Sequence, residues 1–560
     1  MSFKSIKLFE FNWDHVEGAI YYRLQENPDG ASGFSQIGSD IQYEAGSYIL
    51  EVPLHSRVNA QYILQACNNH GCSNSDILAV NDPLIDSIGY LKSSDSTEGE
   101  YFGGSIALSG DGNTLAVGAP GELLRTENSN PPGTVYIFTR NNLNWTEQAS
   151  LQASNADKGD YFGHSISLSN DGNKLAIGAH RENSSATGIN GDQGNSSFNS
   201  FGFGAVYLFS RTSNTWTQQV YIKPSNSDLD DAFGYSVSLS GDGKTLAVGA
   251  RGEDSSSSGI NGDQTSNDHS KSGAVYIFNY NKSNWKQQAY IKAGNTGPNS
   301  QFGRSVSLSN DGNTLAVSAP FESSGAKGIN SFLPSYSAAS SGAVYIFTRP
   351  ETTWTQQSHI KASNSDKYDL FGSAIHLSSD ASTLAVGAIG ERSFATGING
   401  NQENNDALDY TGAVYIFVQT NADWVQQSYL KAHNTELNYA NGGDIFGFSV
   451  SLSENGDTLA VGALGEDSHA SGINGDEQDN NAQDSGAIYI YTRSNTTWSK
   501  GAYIKSSTTE KNDEFSHSVS LSADGNTLVV GAPGEDSNAT GIGGDKKNNG
   551  NPNSGAVFIY

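Results

Sequence analysis

At 560 residues the chain exceeds what one compact core usually holds, and it carries 59 acidic against 31 basic side chains, a formal charge of −28. A balance so acidic argues against nucleic acid as a partner, because phosphate binding needs a clustered cationic footprint. The 63 glycines, with abundant Ser, Asn, Thr and Tyr, favour short strands joined by turns, and no stretch approaches the ~18 apolar residues of a membrane span.

Residues 1–81 have a character of their own. Alternating runs, among them Leu8 to Trp13, Ala19 to Leu24, Tyr48 to Val52 and Gln61 to Cys67, predict a small β-sandwich. Trp13 is expected in its core, and Tyr62, opening a late strand, suits a tyrosine corner. Cys67 and Cys72 flank Asn68-Asn69-His70-Gly71, which predicts a disulfide across a tight strand–turn–strand. Zinc is the weaker reading, since His70 alone lies nearby and there is no second cysteine pair. A disulfide belongs to an oxidising compartment, so the expected location is secreted or cell-surface. Met1-Ser2-Phe3-Lys4-Ser5 leads into no apolar leader, so an export signal is expected to have been removed or replaced. The boundary is expected at Asn81-Asp82-Pro83, with residues 82–560 forming the second domain.

Within that domain one pattern recurs seven times, with a period of roughly 60–75 residues. Phe-Gly followed by Ser-x-Ser-Leu-Ser, or a close variant, stands at Phe102-Gly103, Phe162-Gly163, Phe233-Gly234, Phe302-Gly303, Phe371-Gly372 and Phe446-Gly447, and altered at Phe515-Ser516. Each copy continues through a version of Asp-Gly-Asn-Thr-Leu-Ala-Val-Gly-Ala, a polar loop and Gly-Ala-Val-Tyr-Ile-Phe. A short turn and Trp-x-Gln-Gln-x-Tyr-Ile-Lys complete it. In the third copy Ser236 to Ser240, Thr245 to Ala250, Ala274 to Phe278 and Trp285 to Lys292 read as four antiparallel strands, with Gly241-Asp242-Gly243-Lys244 as the first hairpin. A four-stranded sheet cannot bury both faces alone, whereas seven packed radially can. The predicted fold is therefore all-β: a seven-bladed β-propeller of four-stranded antiparallel blades plus a small N-terminal β-sandwich. The last copy ends at Tyr560, after its third strand, and Ile85 to Lys92 ends in Tyr90-Leu91-Lys92 like a fourth strand. That segment, 85–92, is predicted to complete the last blade, with Ile85 where other copies carry Trp145, Trp216, Trp285, Trp354, Trp424 and Trp498.

Phe-Gly followed by Gly-Ala-Pro, at Gly118-Ala119-Pro120 and Gly531-Ala532-Pro533, resembles the FG-GAP repeats of integrin α-chain propellers and their bacterial relatives, over residues 84–560. The first domain resembles the fibronectin type III modules found ahead of such repeats in bacterial surface proteins. The resemblance implies extracellular ligand binding or adhesion rather than chemistry, and calcium held in a strand–strand hairpin. The hairpin here departs from that pattern. A calcium loop needs carboxylates or amides at alternating positions, whereas Ser307-Leu308-Ser309-Asn310-Asp311-Gly312-Asn313 has serines at the first two and is too short for the later acid. A plain turn is expected there.

Strand direction sorts the loops onto two faces. Those entering the first strands carry Asp160, Asp231, Asp369, Asp444 and Asp513, read as residues of a ligand-binding face. Those leaving the second strands carry Gly-Glu-Asp-Ser and Gly-Ile-Asn-Gly-Asp motifs on the same face, whose oxygens are candidate calcium ligands. They are Glu182, Asn190 and Asp192; Glu253, Asp254, Asn261 and Asp263; Glu391 and Asn399; Glu466, Asp467, Asn474 and Asp476; and Glu535, Asp536 and Asp545. Two readings stand: calcium ordering each long loop, or Asx turns and solvated charge. Copies one and four lack the Asn-Gly-Asp element.

Gly163-His164-Ser165 resembles a nucleophile turn but lacks the final Gly and the strand–turn–helix context. Its serine recurs as Ser105, Ser236, Ser305, Ser449 and Ser518, and a repeated motif is architectural, so no catalytic residue is assigned and no enzyme is expected. The expected function is recognition or adhesion, with an extracellular protein or a glycan bound on the acidic loop face and calcium ordering some loops. A self-assembling surface-layer subunit is the alternative, and a glycan-active enzyme the weakest reading.

Overall fold

The computed structural model describes all residues except 81–83, 122–131, 142, 195–201, 332–335, 404–409 and 436–442. The boundary expected at Asn81-Asp82-Pro83 therefore lies outside the described residues. In the third copy Phe233–Leu239, Thr245–Ala250, Ala274–Asn281 and Asn284–Ile291 pair antiparallel in chain order, close to the predicted bounds. Seven four-stranded sheets of this kind make up the repeat region among the described residues. Thr245–Ala250 is buried along its whole length, which is why that stretch is an apolar run and not an alternation.

Phe233, fully buried, packs edge-on against Tyr276 and Phe278 at 5.4 and 6.1 Å. It shares a core with Val206, Leu208 and Ile222 of the preceding sheet, so the recurrent Phe fills the space between sheets. The recurrent Gly before the last Ala lets them approach: a Cβ on Gly249 would stand 2.0 Å from the carbonyl oxygen of Gly303 in the next sheet.

The seventh sheet takes its strands from both ends of the repeat region: Ser518–Leu521, Leu528–Ala532, Ala556–Ile559 and Gly89–Leu91. Leu91 pairs with Val557 and Tyr90 with Phe558. The closing strand is shorter than expected, because Ile85–Ser87 forms a 3-10 turn. Near the axis, the N–H that opens each first hairpin donates to the equivalent carbonyl of the next sheet. The order is Gly110 to Asn170, Gly241, Asn310, Ser379, Glu454, Ala523 and back to Gly110, at 2.9–3.1 Å. The Ser-x-Ser motif serves the same inner edge. Ser167 accepts the N–H of Leu239, Ser238 that of Leu308, Ser307 that of Leu377 and Ser451 that of Leu521, at 2.9–3.0 Å. A cavity of about 270 Å³ is lined by the first strands of all seven sheets. This radial arrangement of repeated four-stranded sheets is a β-propeller.

The first 80 residues build two further sheets. Ser2–Ser5, Leu8–Asn12 and Ser47–Glu51 form one; Ser35–Gln42, Tyr21–Asn27, Gln61–Asn68 and Gly71–Asn74 form the other, with Leu78–Ala79 paired to Gln61–Asn68. Phe9, Phe11, Tyr22, Leu24 and Tyr62 are buried between them, with Trp13 packed alongside. Cys67 and Cys72 face each other across a hairpin and are disulfide-bonded. The tyrosine-corner expectation is corrected: the Tyr62 hydroxyl donates to the Glu26 carboxylate at 3.0 Å, not to backbone. This unit docks on the propeller through buried polar contacts. Lys7 Nζ donates to Asn526 O and Thr527 Oγ1 at 2.8 and 2.7 Å, and His55 Nε2 meets Gly525 O at 2.9 Å. Those acceptors sit in the first hairpin of the seventh sheet, so docking uses the short-turn rim and leaves the long-loop rim uncovered by it.

Candidate functional site

The long loops gather on one rim. In six of the seven sheets the loop leaving the second strand donates a backbone N–H to the loop entering the same sheet: Gly121 to Glu100 O, Arg181 to Asp160 O, Gly252 to Asp231 O, Gly390 to Asp369 O, Gly465 to Asp444 O and Gly534 to Asp513 O. On the other rim the Asp-Gly hairpin is the plain turn expected. Ser309 Oγ donates to Asp311 Oδ1 at 2.6 Å, and the same oxygen accepts the N–H of Asn313 at 2.9 Å.

The glutamates offered as calcium ligands are buried counter-ions. Lys223, Lys292, Lys431, Lys505 and Lys92, each the last residue of a Tyr-Ile-Lys or its variant, reach Glu182, Glu253, Glu391, Glu466 and Glu535 at 2.6–2.9 Å. The fourth sheet repeats this with Lys361 and Glu322 at 2.6 Å. A tyrosine hydroxyl takes the other carboxylate oxygen, as Tyr290 does on Glu253 at 2.7 Å. Burial lowers the Lys292 pKa and the Glu253 charge opposes that shift. Such a pair is tolerable in the interior because each charge has a partner and further hydrogen bonds, here from Lys292 Nζ to Ser272 Oγ.

The remaining candidate donors serve the backbone. Asn190 donates its N–H to Tyr221 O at 2.8 Å and accepts that of Tyr221 on Oδ1 at 3.0 Å, clamping the loop to the fourth strand. Asn261, Asn399 and Asn474 do the same to Tyr290, Tyr429 and Tyr503. The fourth sheet, though without Asn-Gly-Asp, keeps the clamp through Asn330 and His359. Asp254, Asp467 and Asp536 accept the N–H of Lys271, Asp484 and Asn553, fastening the returning end of each loop. Asp192, Asp263, Asp476 and Asp545 accept the N–H two residues on, as Asx turns. These oxygens therefore do not fit a shared calcium site. Among the described residues, no group of three or more His, Cys, Asp and Glu side chains stands ready to hold a metal.

The five aspartates read as a ligand-binding face are also corrected. Asp160, Asp231, Asp369, Asp444 and Asp513 are buried under the rim, 1–4 % exposed. Asp160, Asp231, Asp369 and Asp513 accept the N–H three residues earlier, at 2.7–3.0 Å. Burial pushes Asp160 up to about 7 and Asp231, Asp369 and Asp513 up to about 8. Sequence reading exposed them because a short polar residue in a loop looks solvated.

What the rim presents at the channel mouth comes from the positions that vary. The residue after each Phe-Gly (after Phe515-Ser516 in the seventh copy) is Gly104, His164, Tyr235, Arg304, Ser373, Phe448 or His517. His164 packs on His180 and Tyr235 at 4.2 and 4.8 Å between ring centres, and Phe448 on His517 at 5.5 Å. Burial and the charges of nearby Arg251 and Arg304 push His164 down to about 3, so its imidazole is neutral. Ser165, the residue of the nucleophile-like turn, donates instead to Gly234 O at 2.8 Å. The signal that could have found this site is the converse of the repeat: fixed positions build the frame, and the unrepeated ones meet at the axis.

The FG-GAP repeat family model matches residues 88–138, 145–209, 216–278, 285–347, 354–417 and 498–560. The chain is an FG-GAP repeat β-propeller protein and belongs to that family. No curated protein matches it. Among solved structures it is similar to the periplasmic gluconolactonase PpgL of Pseudomonas aeruginosa, at 12 % identity over 88 % of this chain and 98 % of that one, with a TM-score of 0.41. The RRP9 WD40 repeats match at 10 % identity over 84 % and 96 %, with a TM-score of 0.44. No helix among the described residues is long and apolar enough to cross a membrane.

Proposed function

We propose that the chain is an extracellular recognition module: a closed seven-bladed propeller behind a fibronectin type III-like sandwich, capturing a macromolecular ligand at the mouth of its long-loop rim without chemistry of its own. The observation that carries this is the division of labour on the rim. Recurring charges turn inward as Glu–Lys pairs, while the copy-specific aromatic and cationic residues Tyr235, Arg304, Phe448 and His517 gather round the axis. Binding residues belong on loops held by a rigid frame. The seven sheets and their cycle of backbone bonds support closure, and the Cys67–Cys72 disulfide supports an oxidising location.

The test is an array of extracellular proteins and glycans probed with the purified chain and with Tyr235→Ala/Phe448→Ala. Capture that falls at least about tenfold, with the melting curve preserved, is expected of aromatic anchors. Equal capture by both proteins removes the mouth as the site, and no capture of any ligand removes recognition as the function.

A further inference from the structure

An acidic chain has gathered three unpaired arginines at one side of its channel mouth. The Arg251 guanidinium carbon lies 4.0 Å from the Tyr235 ring centre and that of Arg304 lies 5.6 Å from the same ring. Both reach Gln301 Oε1, at 3.5 and 3.4 Å. Arg181 and Arg251 line a pocket of about 200 Å³ together with His180, Asp230 and Lys271. Lys271 takes the only carboxylate of that lining, pairing with Asp230 at 2.9 Å. Arg23, Arg57, Arg140 and Arg493 each pair with an acid; among the described residues Arg181, Arg251 and Arg304, like Arg211, Arg349 and Arg392, form no ion pair, but only these three stand together.

With 59 acidic side chains available, three guanidinium groups stand together with no ion pair of their own; Arg304 and Arg181 repel Arg251, and Asp230, already paired with Lys271, is the carboxylate that opposes them. The arrangement stores positive potential that an incoming anion relieves. Guanidinium forks match carboxylates in paired hydrogen bonds. Across the mouth the chemistry changes. At the repeat position of Arg251 the fifth and sixth sheets carry Ile389 and Leu464, and at that of Arg304 the sixth carries Phe448. A cationic half beside an apolar half fits a segment with acidic and apolar side chains better than it fits a polysaccharide.

We infer that Arg181, Arg251 and Arg304 form a carboxylate-binding subsite for an acidic peptide segment of a partner protein. This rests on the recognition reading above and specifies its ligand. The probe is a fluorescein-labelled oligoglutamate ending in phenylalanine, followed by anisotropy at low and physiological salt. Binding that weakens with salt and falls about tenfold or more in Arg251→Gln/Arg304→Gln is expected. Arg251→Lys/Arg304→Lys should recover part of it, and Lys244→Gln, on the other rim, should match wild type; melting curves establish that each variant folds. Absence of binding, indifference to the arginine substitutions, or tighter binding of oligogalacturonate each overturns the inference. If array capture depends on Tyr235 and Phe448 while the peptide fails to bind, the recognition reading survives and the acidic-peptide subsite does not. Peptide binding that needs both arginines supports the subsite even if the array captures nothing.

Discussion

The Glu253–Lys292 pair shows what a single recurring residue does in this fold. The lysine follows the buried end of the outer strand, Ala289 to Ile291, and its ammonium is fully enclosed with Glu253 and Ser272. Removing one partner strands a buried charge, so Lys292→Met should lower unfolding free energy by about 3–5 kcal/mol, whereas Lys292→Met/Glu253→Leu should regain most of it. Chemical denaturation of both variants checks this; equal losses would mean the pair is not the source. The charge was legible in the sequence, but its role was not. A glutamate in a Gly-Glu-Asp-Ser loop looks like a metal ligand until the lysine two strands away is seen to end beneath it.

At the scale of strands and loops, three of the interfaces between sheets share one clamp. Arg349 lies over Trp354 at 5.0 Å and reaches Gln288 and Thr245 of the preceding sheet at 2.6 and 3.2 Å, while Trp354 donates to Gln288. Arg211 and Arg493 repeat the clamp. Between the second and third sheets Tyr280 replaces the arginine and Lys174 the threonine, and a cleft of about 440 Å³ opens there. Tyr280→Arg/Lys174→Thr should rebuild the clamp and raise stability by about 1 kcal/mol, read from the denaturation midpoint. The long loops make a second case. Their Glu, Asn and Asp side chains already bind lysine and backbone, so EDTA should leave the melting temperature unchanged, and a fall on chelation would restore calcium to them. Sequence periodicity resolved the strands of the third copy to within a few residues, because burial on a sheet is written in alternation. It could not resolve loop side chains, whose partners lie on other strands.

For the molecule as a whole, the buried acids set a pH dependence. Unfolded aspartates titrate near ~4, while Asp160 is held at about 7 and Asp231, Asp369 and Asp513 at about 8. The folded state therefore binds more protons between these limits, and stability drains as pH rises through them. Below ~6.5 the buried imidazoles oppose this. His55, His376 and His517, depressed to about 4, and His164, depressed to about 3, lose stability as pH falls. Between ~6.5 and 8 the aspartates act without that opposition. The melting temperature should decline across that window, and Asp231→Asn/Asp369→Asn should flatten the decline; a rise with pH would contradict the assignment. The ring itself was the most legible level, since a strand-like segment ahead of the first copy and a missing one in the last could only answer each other.

The strand Gly89–Leu91 has its seat beside Ala556–Ile559, a partner the ribosome supplies only after the whole ring has been made. Until Gly89–Leu91 seats there, the seventh sheet offers an open edge, and the orphan strand of any neighbouring copy fits it equally well. Concentrated refolding should thus yield exchanged dimers, each copy lending its strand to the other, while dilute refolding yields monomers. Size-exclusion chromatography after the two regimes distinguishes them.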